Sequence, residues 1–415
     1  MRWSICLLLL IADPLPCAAD GPVLSFDEAV ALALDHAPEV TADAQGVAAM
    51  RELEVSAGRL PDPALIVGVD NLPVEGPDAW STTADFMTMR KIGLMQEFPS
   101  REKRRLERER ASAQVGLADA ELAETSLAIA REAARAWIRS ATSESTLRAL
   151  VRLRPEVKLG ATAARAGVAA GRTSTAEALA AAAAAARLET RILDLEGKAR
   201  QARAELARWV GAEAERPLGP LPALEALPAP VPVLLADTGQ HGALLPYAAR
   251  VVAAKSDLEL ARAERRPDWS AELSFAKRGP GFDDMASLEF TVDLPLFARH
   301  RQTPVIAARG ADLRRLEAER ESGLRAHAAE LRQVLIEWEQ SGAQLAQYDR
   351  ELLPLARERS RAALAAYRAG SAELRFAVEA VEDEIELLIE RAELADARGR
   401  AWAYLRYLEP RHLPG

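Results

Sequence analysis

Two short stretches in the second half of the chain alternate apolar and polar residues one for one. After Pro267, Trp269, Ala271, Leu273 and Phe275 interleave with Ser270, Glu272 and Ser274. Before Pro295, Leu288, Phe290, Val292 and Leu294 interleave with Ser287, Glu289, Thr291 and Asp293. A period of two sends successive side chains to opposite faces, so each stretch predicts a strand with one apolar and one polar face. The loop from Lys277 to Asp284, with Gly279-Pro280-Gly281, joins them. Ala64 to Val69 and Phe86 to Phe98 predict counterpart strands around a loop from Asn71 to Ala84. There Arg90 and Lys91 break the alternation.

The rest predicts helix. A first helix runs from about Phe26 to Arg59, with Ser25 as N-cap and Glu28 as its capping-box partner. A second begins near Ser100 and reaches about Ala166, roughly 100 Å at 1.5 Å per residue. Pro155 is its expected kink. A third follows Gly171 and ends near Gly211, and it contains seven consecutive alanines, Ala180 to Ala186, which favour helix and close helix approach. The same order returns from about Gln302 to Ala369 and from Gly370 to Leu408.

That return is a duplication. Val47-Ala48-Ala49 recurs as Val252-Ala253-Ala254, Arg59-Leu60-Pro61-Asp62 as Arg265-Arg266-Pro267-Asp268, and Phe98-Pro99 as Leu294-Pro295. Trp137 matches Trp338, Leu153-Arg154-Pro155 matches Leu352-Leu353-Pro354, and Ala170-Gly171 matches Ala369-Gly370. The offsets stay between 196 and 206 residues and the order never changes, which one chance match could not produce. The expected organisation is a leader at 1–19, a first repeat at 20–210, a linker at 211–246, a second repeat at 247–409 and a short tail at 410–415.

The leader reads as secretory. Arg2 precedes the apolar run Ile5 to Ala12, and Cys17-Ala18-Ala19 is a small-residue cleavage site. Pro14-Leu15-Pro16 fits a lipobox poorly, so cleavage without acylation of Cys17 is the expectation. No other segment is an uncharged run long enough to span a bilayer as a helix. With Cys6 and Cys17 the only cysteines, the body has no disulfide framework, thiolate nucleophile or cysteine-based zinc site. The formal charge of −9 argues against nucleic acid as a partner. No phosphate loop or catalytic triad is present, so neither an enzyme nor a cofactor is expected.

A soluble coiled-coil scaffold would account for the helices but not for the strands. Four amphipathic strands cannot cross a membrane alone, because open edges are prohibitive in hydrocarbon and the smallest closed barrels have about eight strands. Closure therefore requires several chains. The expected fold class is mainly α with a small β part: an internally duplicated, long α-helical barrel, and four strands per chain contributing to a trimeric, 12-stranded transmembrane β-barrel.

So assembled, the chain resembles the TolC-type outer-membrane efflux family. The residues carrying the resemblance are Leu24-Ser25-Phe26-Asp27-Glu28-Ala29, Pro61-Asp62-Pro63, Gln96-Glu97-Phe98-Pro99 with Arg101 to Arg105, Ala170-Gly171 and Tyr367-Arg368-Ala369-Gly370. Asn71-Leu72-Pro73 with Met87-Thr88-Met89-Arg90 looks most like the heavy-metal branch, which serves cobalt–zinc–cadmium or copper pumps. The resemblance implies a homotrimer in the outer membrane of a Gram-negative bacterium, in contact with outer-membrane lipid. It further implies a long periplasmic extension, a periplasmic adaptor protein and an inner-membrane, proton-driven pump. A duct for secreted proteins in a one-step secretion system is the alternative.

The expected site residues follow. Gly171, Arg172, Thr173 and Ser174, with Gly370 and Ser371, form the tips that would dock an adaptor, each turn having a glycine able to take positive φ. Glu379, Glu373 and Phe376 lie at the tunnel entrance. The family carries acidic rings just past this turn; Glu379 falls at a matching place, and Phe376 occupies the other. Glu373 and Glu379 point about 120° apart on a helix, which favours Glu379 as the lumen residue. Glu272, Glu289 and Asp293 would line the barrel lumen. Met87, Met89 and Met95 are placed on one strand face, where they read as a lipid-facing or packing stripe rather than soft ligands. The basic run Arg101 to Arg105 reads as a solvated first helical turn, and Glu382-Asp383-Glu384 as a solvated or lumen-facing surface. No metal ligands are assigned.

Overall fold

The computed structural model describes residues 22–236 and 238–414. The leader, with its cleavage site and Cys17, lies outside the described residues. Each repeat contributes a short helical segment, two strands and a long helical hairpin. The first holds α1 (Phe26–His36), α2 (Pro38–Ser56), β1 (Ala64–Asp70), β2 (Met89–Phe98), α3 (Arg101–Ala169) and α4 (Thr175–Val210). A connecting segment carries α5 (Val231–Ala236). The second repeat holds α6 (Leu245–Ala263), β3 (Trp269–Lys277), β4 (Met285–Val292), α7 (Gln302–Gln347), α8 (Leu353–Arg368) and α9 (Leu374–Arg406). The four strands form one antiparallel sheet in the order β1-β2-β3-β4. The two repeats therefore meet at β2–β3, while β1 and β4 are open edges.

Several local features follow from the residues. The capping box forms: Ser25 Oγ accepts from the Glu28 N–H at 3.2 Å, and Glu28 Oε2 accepts from the Ser25 N–H at 3.4 Å. The expected single first helix is two. Ala37 is extended (φ −70, ψ 114) and Pro38 opens α2, because a proline ring disfavours helical geometry in the residue before it. Pro155 sits inside α3 without ending it, and α3 runs 69 residues, about 100 Å. Its counterpart Pro354 instead follows a π-helical turn, Tyr348–Leu352, which absorbs the break in the second repeat.

The main core lies where the helices of both repeats cross. Phe26 packs edge-on against Trp137 (5.6 Å between ring centroids) and Trp402 (5.4 Å). Three indole N–H groups then bind backbone carbonyls of the flanking segments: Trp137 to Leu24 (3.3 Å), Trp338 to Leu224 (2.9 Å) and Trp402 to Ala226 (2.7 Å). Trp137 and Trp338 are repeat counterparts, and each reaches a leucine carbonyl 113 or 114 residues earlier. The segment at 211–246 is thus fastened to the helices rather than free. Leu218 bridges Leu24, Leu224 and Leu234 are buried, and His241 and His327 share a 2.7 Å ring hydrogen bond.

Trp137 is fully buried, so Trp137→Ala should lower stability by about 3–5 kcal/mol. Trp137→Phe, which keeps most of the ring and loses one hydrogen bond, should lose nearer 1–2 kcal/mol. Thermal melting followed by circular dichroism in detergent checks the order; equal melting temperatures for both variants would contradict it.

Candidate channel wall and helical tips

The strand register sorts the sheet into two faces. On one, Leu65, Leu94, Leu273 and Leu288 stand in a single row, with Val67, Ile92 and Phe275 in the next. The four leucines are 53–67% exposed, so none of the described residues covers them. At the end nearest the helices the row is Phe98–Trp269–Val292, with the Phe98 and Trp269 rings stacked 4.2 Å apart. At the far end it is Val69–Arg90–Lys277. An apolar band closed by aromatics at one margin and cations at the other is the pattern of a strand face in lipid. The ten residues of β2 span roughly 30 Å along the strand, enough to cross a bilayer at a tilt.

The opposite face is polar. Glu272 and Glu289 are direct cross-strand partners, and Ser274 pairs with Ser287. Two carboxylates face to face repel, and Lys91 offsets this, its ammonium lying 3.0 Å from Glu272 and 3.9 Å from Asp70. Asp293 falls just beyond β4, where its N–H donates to the Asp268 carbonyl at 2.9 Å. Lys91 is a site residue that sequence reasoning missed. It does not break the alternation; it shares parity with Gly93, Met95 and Glu97 on the polar face, and counting back from those residues would have placed it.

The methionine stripe needs correction. Met87 precedes β2, which begins at Met89 rather than Phe86, and it lies outside the sheet. Met89 and Met95 do share a face, but it is the polar one rather than the lipid-facing one, and six residues of strand separate them by about 20 Å, so they neither pack together nor converge on one ion.

The two tips at the other end of the molecule are built alike. Gly171 (φ 67) and Gly370 (φ 73) take the left-handed conformation. The following N–H groups, of Arg172 and Ser371, donate to the carbonyls of Gly167 (2.8 Å) and Ala366 (3.0 Å). This is the Schellman closure, which satisfies the last carbonyls of α3 and α8. Ser174 then caps α4 in a capping box with Glu177, whose carboxyl is held below its usual pKa by the Ser174 N–H and hydroxyl. Thr173 Oγ1 lies 3.3 Å from the Tyr367 hydroxyl and links the tips of the two repeats. Behind it Gly167 has no room for a side chain; a Cβ would stand 2.3 Å from Thr173 Oγ1.

Past the second tip, Glu373 is the N-cap position of α9 and pairs with Arg375 at 2.9 Å. The Arg375 guanidinium lies 4.7 Å from the Phe376 ring centroid. Phe376 and Glu379 are exposed and fall on one stripe of α9 with Asp383, Glu386 and Glu390 by the 3.6-residue period. Glu373 lies off that stripe. Within the acidic run read as surface, Glu384 is an exception. It is buried under α8 near Arg357 (3.8 Å), and desolvation raises its pKa. Among the described residues no cluster of three or more His, Cys, Asp or Glu is placed to hold a metal ion.

Residues 30–212 match the profile of the outer membrane efflux protein family. No curated protein is similar enough in sequence to be matched. Solved structures share the fold over nearly the whole chain. The outer-membrane protein VceC of Vibrio cholerae is 20% identical with a TM-score of 0.72, covering 94% of this chain and 96% of its own. CusC is 13% identical with a TM-score of 0.76 (94% and 92%). The Campylobacter jejuni outer membrane channel CmeC is 12% identical with a TM-score of 0.75 (92% and 85%). CmeC is an outer membrane channel, and the CusC structures describe transmembrane channel formation. The first repeat thus matches the outer membrane efflux protein profile in sequence, and the chain shares its fold along nearly its full length with solved outer-membrane proteins and channels.

Proposed function

We propose that three copies close a 12-stranded barrel continued by a helical tunnel, and that the trimer is the passive exit duct of a tripartite pump for heavy-metal cations. The observation that carries the duct is the four-stranded sheet, with two open edges and an uncovered apolar face, set at the end of helices about 100 Å long. The polar face, with Glu272, Glu289 and Asp293, would line the lumen. The tips at Gly171–Ser174 and Gly370–Ser371 would meet a periplasmic adaptor, and energy would come from a proton-driven inner-membrane pump. The metal cargo rests on the resemblance of Asn71-Leu72-Pro73 and Met87–Arg90 to the heavy-metal branch, and the acidic stripe of α9 favours cations over anions. The fold likeness to CusC differs little from that to the other channels and does not bear on cargo.

A deletion strain tests both parts. It should become sensitive to cobalt, zinc, cadmium or copper salts, and the intact gene should restore growth. Gly171→Val with Gly370→Val should fail to restore it while still assembling trimers, because nothing within 4 Å obstructs the new side chains but each positive φ is lost or strained. Sensitivity to organic toxins alone would end the metal reading and leave the duct. Unchanged tolerance with loss of a secreted protein would favour the secretion alternative. Full rescue by the double variant would remove the docking role.

A further inference from the structure

Four chain crossings join helices to strands, and they converge in one collar at the periplasmic margin of the sheet. Asp268 ties three of them. Its carboxylate accepts from the Ser100 N–H (3.0 Å) and from Lys103 Nζ (2.6 Å), and its carbonyl accepts from the Asp293 N–H (2.9 Å). The fourth, from α2 to β1, presses on α3 at Gly58, where a Cβ would lie 2.1 Å from the Arg104 carbonyl oxygen.

This collar holds Arg59, Arg101, Arg265, Arg299 and Arg301, all exposed. None of the five forms an ion pair among the described residues, whereas their neighbours Arg105 and Arg266 meet Glu102 at 2.9 and 4.0 Å. The concentration is notable in a chain of formal charge −9. Beside these cations the apolar face does not stop at its last paired row. It continues through Leu294, Leu296 and Phe297, which are 66–77% exposed. Arg299-His300-Arg301 follows after a single residue, Ala298. Apolar side chains at the edge of a lipid-facing band, followed directly by unpaired arginines, match a bilayer interface: acyl chains above, phosphates at the level of the cations.

We infer that the collar binds anionic phospholipid head groups of the periplasmic leaflet, with Leu296 and Phe297 inserted among the adjoining acyl chains. The inference rests on the outer-membrane seat of the sheet. Two features favour lipid as the occupant: the collar is continuous with the apolar band, and its charge complements an anionic leaflet.

The test uses the full-length protein purified in detergent and offered equal amounts of phosphatidylglycerol and phosphatidylcholine. Native mass spectrometry reads the lipid retained. The wild type should enrich phosphatidylglycerol, less so as salt rises. Each cation at an anionic surface is worth about a factor of five, so Arg265→Gln/Arg299→Gln/Arg301→Gln should lower the enrichment at least about fivefold. Should the triple variant not assemble, Arg299→Gln and Arg301→Gln singly should each lower it. Phe297→Ser, which keeps the charges, should weaken retention of both lipids alike. Equal retention of the two lipids by the wild type, or an unchanged ratio in the arginine variants, overturns the inference. So does a triple variant that falls to single chains with wild-type enrichment, since the arginines would then serve a neighbouring copy. Planar-bilayer conductance is recorded on the same samples. Pores without lipid preference overturn the collar alone; absence of pores overturns the duct.

Discussion

Light scattering of the detergent-purified protein should give three chains per particle, and proline placed in an open edge strand should reduce it to one. The reasoning is about unpaired backbone. β4 has eight residues and pairs on one side only, with β3. In an antiparallel ladder alternate residues point their N–H and C=O outward, so about four of each face the open edge. Each such group left unpaired in hydrocarbon costs several kcal/mol, so β4 alone would cost tens of kcal/mol, and β1 adds a similar amount. No surface contact between helices matches that sum, so a membrane-embedded single chain is excluded and edge pairing dominates assembly. Of the neighbours Ser287 and Leu288, one N–H faces β3 and the other the open edge. Ser287→Pro and Leu288→Pro should therefore both abolish the trimer, one by removing an intermolecular donor and the other by breaking the sheet within the chain. A single-chain particle with full strand content from the unmodified protein would defeat this account, and so would trimers from both proline variants.

The features legible in the sequence are those set by near neighbours. The alternation of Trp269–Phe275 and Leu288–Val292, the Ser25–Glu28 capping box and the positive-φ glycines at both tips depend on a few consecutive residues, and each stands where local rules put it. The duplication was legible for the same reason, since it is read by comparing one stretch with another. Two departures lie where one local signal overrides another. The Ala37-Pro38 step ends the first helix despite the helical pattern around it, and Lys91 follows the parity of Gly93 rather than the charge of its neighbour Arg90. Other features had no local signal. Nothing near Trp137 says that its indole reaches Leu24, or near Thr173 that its hydroxyl meets Tyr367. Such contacts join residues more than a hundred positions apart, and only the packed helices bring them together. The burial of Glu384 is of this kind too: its run Glu382-Asp383-Glu384 is uniformly acidic, and only the face turned to α8 distinguishes it.

Single-channel recording should separate two glutamates that look alike in sequence. Glu379→Gln should lower cation selectivity and relieve block by divalent cations several-fold, while Glu373→Gln should change both little. Glu379 is exposed and shares its stripe of α9 with Phe376, Asp383, Glu386 and Glu390. Glu373 sits at the helix start, off that stripe, with its charge answered by Arg375 at 2.9 Å. In a trimer Glu379 would recur three times about the axis. Three carboxylates at about 6 Å from a passing monovalent cation contribute roughly 2 kcal/mol in water, and screening at physiological salt reduces that. A several-fold change in selectivity is what remains, and it should shrink further as salt is raised. Asp383, next on the stripe, is already paired with Arg359, so Asp383→Asn should have a smaller effect than Glu379→Gln. Phe376→Ala serves as the control for size, since it widens the same level without altering charge; it should raise conductance and leave selectivity near its original value. Unchanged conductance and block for Glu379→Gln, or an equal loss of selectivity for Glu373→Gln, would remove Glu379 from the tunnel entrance.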